Sequence, residues 1–134
     1  MQLNQATDYG FRAALHLARH LGGEWVDAPT IACAEAIPIR YLLKIMPSLT
    51  KAGIIKSQRG SGGGYALARS PGDITLLDII VAIEGPLHLN RCLLDASLCS
   101  KEGPPHCKVH QALALIQRRL SDEFSLYHLV DLLD

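Results

Sequence analysis

The sequence predicts a mostly α-helical fold that contains one small β-hairpin. Apolar residues recur with the three-to-four-residue spacing of helices along most of the 134 residues. Only 5% of the residues are aromatic, so Leu, Ile, Val and Ala must fill the core. The helical spacing is interrupted by two short segments, residues 54–58 and 65–68, which are joined by the glycine-rich residues 59–64 in the pattern of a hairpin.

Length and composition limit the class of protein. A chain of 134 residues with 49% hydrophobic residues suffices for one domain with its own core. No stretch approaches the roughly 18 apolar residues of a membrane span. The N-terminal residues also lack the charged region and apolar core of a signal peptide, so we expect a cytoplasmic protein without a membrane partner. The chain has no nucleophile-elbow, zinc-protease or phosphate-loop motif, which argues against an enzyme.

The N-terminal segment predicts an amphipathic helix of about four turns. Asp8 lies in or near its first turn, where a carboxylate interacts favourably with the helix dipole. Gly22 and Gly23 are expected to end it. The apolar stripe consists of Phe11, Ala14, Leu15, Ala18 and Leu21.

A short helix, a tight turn and a longer helix are predicted next, which is a helix-turn-helix pattern. The short helix covers residues 30–36, and Cys33 within it is interpreted as a small buried core thiol. The turn falls at Pro38 because the residue before a proline avoids the α region. In the longer helix, Pro47 is expected to kink or divide the helix. Its core-facing residues are Leu42, Ile45, Met46 and Leu49.

The second half of the chain begins with the hairpin and returns to helices. Residues 54–58 and 65–68 form the two strands. Thr75 and Asp78 have the spacing of a capping box and open a helix that ends at Gly85. Residues 87–107 are expected to form an irregular loop.

The C-terminal segment resumes helical spacing, but little nearby chain is left to cover its narrow apolar stripe. We therefore expect it to form a homodimer. Ser125 is expected to cap a last short helix. The organisation is a winged-helix domain at 1–86, a cysteine-rich loop at 87–107, and a dimerisation helix with a tail at 108–134. The stripe consists of Val109, Ala112, Leu113, Ile116 and Leu120.

Basic residues are concentrated in one part of the chain. Residues 38–70 contain six of the 13 basic residues and no acidic residue, although the net charge is zero. Such a segment is typical of a surface that binds phosphates. A helix-turn-helix followed by a hairpin is a winged helix, whose second helix enters the major groove of double-stranded DNA while the hairpin approaches phosphates or the minor groove. As a dimer it would bind a pseudo-palindromic operator. The expected DNA-binding residues are Arg40, Tyr41, Lys44, Ser48, Lys51, Lys56, Arg59, Gly60, Ser61 and Gly62.

The late cysteines form a candidate metal site. Six residues separate Cys92 from Cys99, seven separate Cys99 from Cys107, and His110 follows two residues later. Thiolates are the usual ligands of iron–sulfur clusters, and mixtures of Cys and His occur. Zinc competes on spacing alone, although the missing Cys-x-x-Cys pair argues against a zinc ribbon. The alternative is a cluster-free winged-helix repressor in which the cysteines form a thiol–disulfide redox switch.

Several segments together resemble the Rrf2 family of winged-helix transcriptional regulators, of the IscR, NsrR and RirA type. The resemblance covers residues 1 to about 130, and its most specific motif is the wing sequence Arg-Gly-Ser-Gly-Gly-Gly-Tyr. The other matching segments are residues 7–13, 41–42, 51–54 and 83–86.

This resemblance implies a homodimer that senses iron, redox or nitric oxide status through a two-iron or four-iron cluster held by the three cysteines. For the fourth ligand, His110 resembles the arrangement in the iron–sulfur regulator IscR. Asp8 resembles the arrangement in NsrR, in which a carboxylate from the partner subunit completes the site. The chain departs from the family in the longer gaps between its cysteines.

Overall fold

The computed structural model describes residues 2–22 and 24–134. It confirms the predicted mostly helical fold with one hairpin. None of the helices in these residues is both long and apolar enough to cross a membrane. The elements are α1 (Gln5–Ala18), α2 (Ala28–Glu35), α3 (Ile39–Lys51), β1 (Ile55–Gln58), β2 (Gly64–Leu67), α4 (Leu76–Glu84), α5 (Arg91–Leu94) and α6 (Lys108–Ser125).

Helix α1 begins directly after its N-cap residue, Asn4, and ends earlier than the sequence predicts. The side chain of Asn4 accepts a hydrogen bond of 2.8 Å from the Thr7 amide. The helix ends at Ala18, so Leu21 lies outside it and is 60% exposed rather than part of the stripe. The expected stop at Gly23 lies outside the described residues.

Helix α2 starts two residues before the predicted position. Asp27 caps it by accepting a 2.8 Å hydrogen bond from the Thr30 amide, and proline occupies the first turn, where its missing N–H costs nothing. The prediction that Cys33 is buried is wrong. Helix α2 turns Ala28, Ile31 and Ala32 to the core, which leaves Cys33 on the exposed side.

Helix α3 runs from Ile39 to Lys51 without a break, so Pro47 does not divide it. Proline removes the hydrogen bond that its N–H would donate to the carbonyl of residue 43. Leu43 and Pro47 both lie on the exposed side, where water can bind that carbonyl. The predicted core face of α3 is confirmed, because Leu42, Ile45, Met46 and Leu49 are all buried.

Strands β1 and β2 form an antiparallel hairpin, with Ile55 opposite Leu67 and Gln58 opposite Gly64. This hairpin and its connecting turn, residues 55–67, are the wing. The chain before α2 joins it, because Val26 and Tyr65 exchange two backbone hydrogen bonds of 2.9 and 2.8 Å. The core lies between α1, α2, α3 and α4, and Ile55 places one end of the wing in it.

From residue 75 onward the chain contains more regular structure than the sequence predicts. The capping box of Thr75 and Asp78 is confirmed at the start of α4. The segment expected to be irregular contains α5 and a 3-10 turn at Ala96–Leu98. Ser125 ends α6 rather than capping a further α-helix, and the tail forms a 3-10 turn at Leu129–Leu132.

The tail returns to the helical core. Leu129 is fully buried, and its amide donates a 2.9 Å hydrogen bond to the carbonyl of Ile74. The amide of Leu76 donates in turn to the carbonyl of Tyr127. By contrast, no residue within α6 is buried, and Val109 and Ile116 of its predicted stripe are 65% and 52% exposed.

Candidate nucleic-acid interface and cysteine segment

The exposed side of α3 carries three of the expected DNA-binding cations. Arg40, Lys44 and Lys51 lie opposite the buried stripe of the helix, and all three are exposed. Tyr41 is exposed beside them, whereas Ser48 is half-buried. The spacing of the helix brings the cations onto one side, because residues three to four apart share a face.

The wing adds two more cations next to this helix. Strand β1 follows α3 and contacts it; it carries Lys56, and Arg59 is the residue that follows its end. Both side chains are exposed, as are Gly60, Ser61 and Gly62 in the turn. The basic face is defined here as Arg40, Lys44, Lys51, Lys56 and Arg59.

The cations of the basic face are not neutralised by the protein. Among the described residues, none of the five forms an ion pair with a carboxylate. The sixth basic residue of the segment differs, because Arg69 lies 3.8 Å from Asp78 and donates to the carbonyls of Gly53 and Asp73. Arg69 therefore has a structural role, and the other five cations are available for phosphates.

Two of these cations form cation–π contacts with aromatic rings. The guanidinium of Arg40 lies 5.1 Å from the centre of the Tyr41 ring, and the ammonium of Lys56 lies 5.6 Å from the Trp25 ring. Trp25 was not singled out from the sequence. It precedes Val26, whose pairing with Tyr65 places the tryptophan against the wing, so only the three-dimensional arrangement reveals its role.

The wing turn requires glycine for two different reasons. Gly62 has a φ of +79° and faces open space, so it needs glycine only for its backbone conformation. Gly64 has a φ of +148°, and a methyl group on it would also collide with the backbone of Val26 and Asp27. The close approach of the wing to the chain before α2 therefore depends on Gly64.

The structure brings the three late cysteines and His110 into one neighbourhood. The Nδ1 atom of His110 lies 3.2 Å from the Sγ atom of Cys92. Cys107 caps α6, and its Sγ atom accepts a hydrogen bond of 3.5 Å from the His110 amide. His110 therefore connects the first and the last of the three cysteines. Residues 87–107 are called the cysteine segment below.

Cys99 approaches Cys107 across a glycine. The Gly103 amide donates a 3.5 Å hydrogen bond to the Cys99 Sγ atom. A methyl group on Gly103 would lie 3.7 Å from that sulfur and 3.6 Å from the Cys107 sulfur, so both sulfurs border the same side of Gly103. The hydrogen bond from Gly103, followed by one from the backbone of Lys101, lowers the pKa of the Cys99 thiol and favours the thiolate.

This donor set has the ligand types found in iron–sulfur clusters. Within residues 2–22 and 24–134, no three Cys, His, Asp or Glu side chains gather tightly enough to hold one metal ion. A cluster distributes its protein ligands over two or four irons, so they stand farther apart than the ligands of a single ion. Three half-buried thiols and one imidazole, linked in pairs around Gly103 and His110, fit that requirement.

Asp8 is not brought to the cysteines of its own chain. Its carboxylate forms an ion pair of 2.7 Å with Arg12 and accepts a hydrogen bond from Gln5, both on α1. Any contact between Asp8 and a cysteine segment would therefore have to reach another copy of the chain.

Hydrogen bonds connect the cysteine segment and the residue that ends α4 just before it to other helices. Three residues before the segment, at the end of α4, Glu84 accepts hydrogen bonds from the Thr7 hydroxyl and the Asn4 backbone amide at the beginning of α1. Farther along, the Leu89 amide donates a 2.8 Å hydrogen bond to the side chain of Gln117 on α6. Because α1 packs on α3, the segment is connected both to the helix with the basic face and to α6.

Comparison with known proteins gives a family and several relatives. The family described as "Rrf2: Iron-dependent Transcriptional regulator" matches residues 3–134. A Mycobacterium tuberculosis protein named as a helix-turn-helix-type transcriptional regulator is 34% identical over 87 residues, which are 65% of this chain. The chain spans about half the length of this curated relative, 54%.

Two solved structures agree with this chain over nearly its whole length. T. potens IscR superposes with a TM-score of 0.75 at 28% identity, covering 98% of this chain and 85% of that one. CymR, the global cysteine regulator of B. subtilis, superposes with a TM-score of 0.78 at 26% identity, covering 98% of this chain and 95% of the other. The match extends through the wing and the C-terminal helix.

Proposed function

Since this chain belongs to the Rrf2 family, we propose that it is a homodimeric, DNA-binding transcriptional regulator. We further propose that it senses iron, redox or nitric oxide status through an iron–sulfur cluster in the cysteine segment. The observation that carries the first proposal is a basic face whose cations have no carboxylate partners in the described part of the chain. The second proposal is supported by the linked arrangement of three thiols and one imidazole.

In this proposal α3 occupies the major groove and the wing lies against the neighbouring backbone. Arg40 and Lys44 are one turn apart at the N-terminal half of α3, the part of a recognition helix that reaches base edges. Arg59, at the base of the wing, enters the minor groove or contacts its phosphates. The turn residues 60–62 offer backbone amides without bulky side chains.

The basic face can be tested with two substitutions of different expected effect. Arg59→Ala is expected to weaken operator binding by about 1–3 kcal/mol if the guanidinium contacts a groove. Lys56→Ala is expected mainly to reduce the dependence of affinity on salt, because a phosphate contact releases counterions without discriminating sequence. Titration of a labelled operator at several salt concentrations measures both effects.

A matched control is Arg118→Ala, which removes an exposed cation of α6 outside the basic face. It should leave affinity and salt dependence near those of the wild type. If Arg59→Ala and Lys56→Ala both fold and bind DNA like the wild type, the proposed placement of the wing on DNA is wrong.

The proposed cluster ligands are Cys92, Cys99 and Cys107, with His110 as the fourth. The short contact between His110 and Cys92 favours His110 over Asp8, which would have to come from the partner subunit. When bound, the cluster would supply iron and sulfide that react with oxygen or nitric oxide. The residues of this chain contribute thiolates and an imidazole, and the Gly103 amide stabilises the thiolate of Cys99.

The proposed dimer uses the exposed stripe of α6. Ile116→Glu is expected to shift the protein from dimer to monomer, because it buries a charge in an apolar interface. Sedimentation equilibrium at micromolar concentration measures the shift. Arg118→Glu, on the opposite side of the same helix, introduces the same residue and should remain dimeric. A wild-type protein that sediments as a monomer would rule out this interface.

The second candidate function is a thiol switch without a cluster. It is favoured by the lowered pKa of Cys99 and by the placement of Cys99 and Cys107 on the same side of Gly103. A peroxide could oxidise these two thiols to a disulfide while it is reduced to water. Protein purified anaerobically separates the candidates, because a cluster gives brown protein with visible absorption, whereas a thiol switch gives a colourless protein that still binds DNA.

A further inference from the structure

The exposed side of α3 carries an apolar edge as well as cations. Ile39, Leu43 and Pro47 follow each other at four-residue steps, so they form one row along the helix. Ile39 is 42% exposed, Leu43 is 50% exposed, and Pro47 is exposed. The core is completed by the opposite side of α3, so this apolar row contributes little to folding.

The apolar row lies beside the cations of the basic face. Leu43 is three residues after Arg40 and adjacent to Lys44 in sequence, and Ile39 opens the helix. If α3 enters the major groove as proposed above, this N-terminal half is the part that reaches the bases. The row would then face base edges rather than phosphates.

The positive charges beside the apolar row favour a DNA duplex over a second copy of the protein as its partner. Pairing of the row with the same row of a second copy would bring two sets of Arg40, Lys44 and Lys51 together, and the described carboxylates do not offset them. A DNA duplex instead supplies phosphates for the cations. In its major groove, the apolar group that a duplex offers is the C5-methyl group of thymine.

We propose that Ile39 and Leu43 contact thymine methyl groups in the major groove, so that thymine is preferred at defined positions of each operator half-site, next to the position contacted by Arg40. This inference rests on the proposed DNA-binding function and adds a basis for its sequence specificity. The cations position the helix on DNA, and the apolar row discriminates thymine from the other bases.

The test uses duplexes selected from a random library with the wild-type protein. In the best duplex, each thymine is replaced in turn by deoxyuridine, which removes only the methyl group. We expect the wild-type affinity to fall about threefold to fourfold at one or two positions of each half-site, which corresponds to the loss of one buried methyl group. Leu43→Ala should bind the thymine duplex more weakly and lose the response to deoxyuridine at its position.

Leu43→Ala is suited to this test because the residue is half exposed and alanine favours helix. Val81→Ala is the control, since it shortens a comparably exposed apolar residue on α4 and should keep the wild-type response. Failure to select any duplex would overturn both the DNA-binding function and this inference. Tight binding that is insensitive to every deoxyuridine, or a response unchanged in Leu43→Ala and in Ile39→Ala, would overturn the inference alone.

Discussion

Replacement of Cys92, Cys99 and Cys107 together by alanine is expected to abolish uptake of iron and sulfide. The three sulfurs are the proposed sulfur donors of the site, and the imidazole of His110 cannot hold a cluster alone. The measurement is anaerobic reconstitution of the wild type and the variant, followed by iron and sulfide analysis and visible absorption. The variant should remain colourless and folded, because none of the three cysteines belongs to the buried core.

Cys33 provides the matched control for this experiment. It is a free, exposed cysteine on α2, away from the cysteine segment, so Cys33→Ala should take up iron and sulfide like the wild type. The cluster proposal fails if the triple variant takes up as much iron and sulfide as the wild type. It also fails if the wild type takes up none, and the thiol switch then becomes the leading proposal.

Gly64→Ala is expected to lower the free energy of unfolding by about 3–5 kcal/mol. Backbone strain at a φ reserved for glycine costs about 1–3 kcal/mol. The added methyl group would also push apart the wing and the chain before α2, so the two hydrogen bonds between Val26 and Tyr65 would be lost at roughly 1 kcal/mol each. Urea unfolding at a fixed protein concentration measures the change.

Gly62→Ala separates these two contributions. Gly62 also has a positive φ, but a methyl group there meets nothing within 4 Å. Its replacement should cost only the strain, about 1 kcal/mol. Equal stabilities of the two variants would mean that the contact between Gly64 and Val26 does not hold the wing in place.

The elements with strong local rules were predictable from the sequence. Helix α3 shows its buried stripe directly, since Leu42, Ile45, Met46 and Leu49 recur at helical spacing. The hairpin follows from glycines between two short segments, and the capping box follows from Thr75 and Asp78. In each case the residues that determine the element lie within a few positions of each other.

Features that depend on distant residues were not predictable in this way. His16 is not part of the predicted apolar stripe of α1, yet it is buried, and its Nδ1 atom lies 3.0 Å from the carboxylate of Glu35 on α2. The exposure of Cys33 depends on the side of α2 that packs on the core, which a short Ala-rich helix does not reveal. Pro47 was judged by its backbone alone, although its position on the exposed side of α3 makes an uninterrupted helix tolerable.

The residues of the candidate site were predictable from the sequence, but the contacts between their side chains were not. The sequence indicates that Cys92, Cys99, Cys107 and His110 belong to one region. The number of residues between them does not show which of their atoms are in contact. The contact of His110 with Cys92 and the shared approach to Gly103 depend on how α5 packs against α6. The roles of Glu84, which binds α1 just before the segment, and of Gln117, which binds Leu89 within it, were missed because each pairs with a residue far away in the sequence.

Helix α6 is held at both of its ends. Its first turn is capped by Cys107, and the chain that leaves its last turn is anchored by the fully buried Leu129. Eighteen helical residues span about 27 Å, and a continuous α-helix shortens or bends little over that length. The helix therefore moves as a rigid element, and a sideways displacement of its Cys107 end by an ångström would tilt it relative to the core that carries α3.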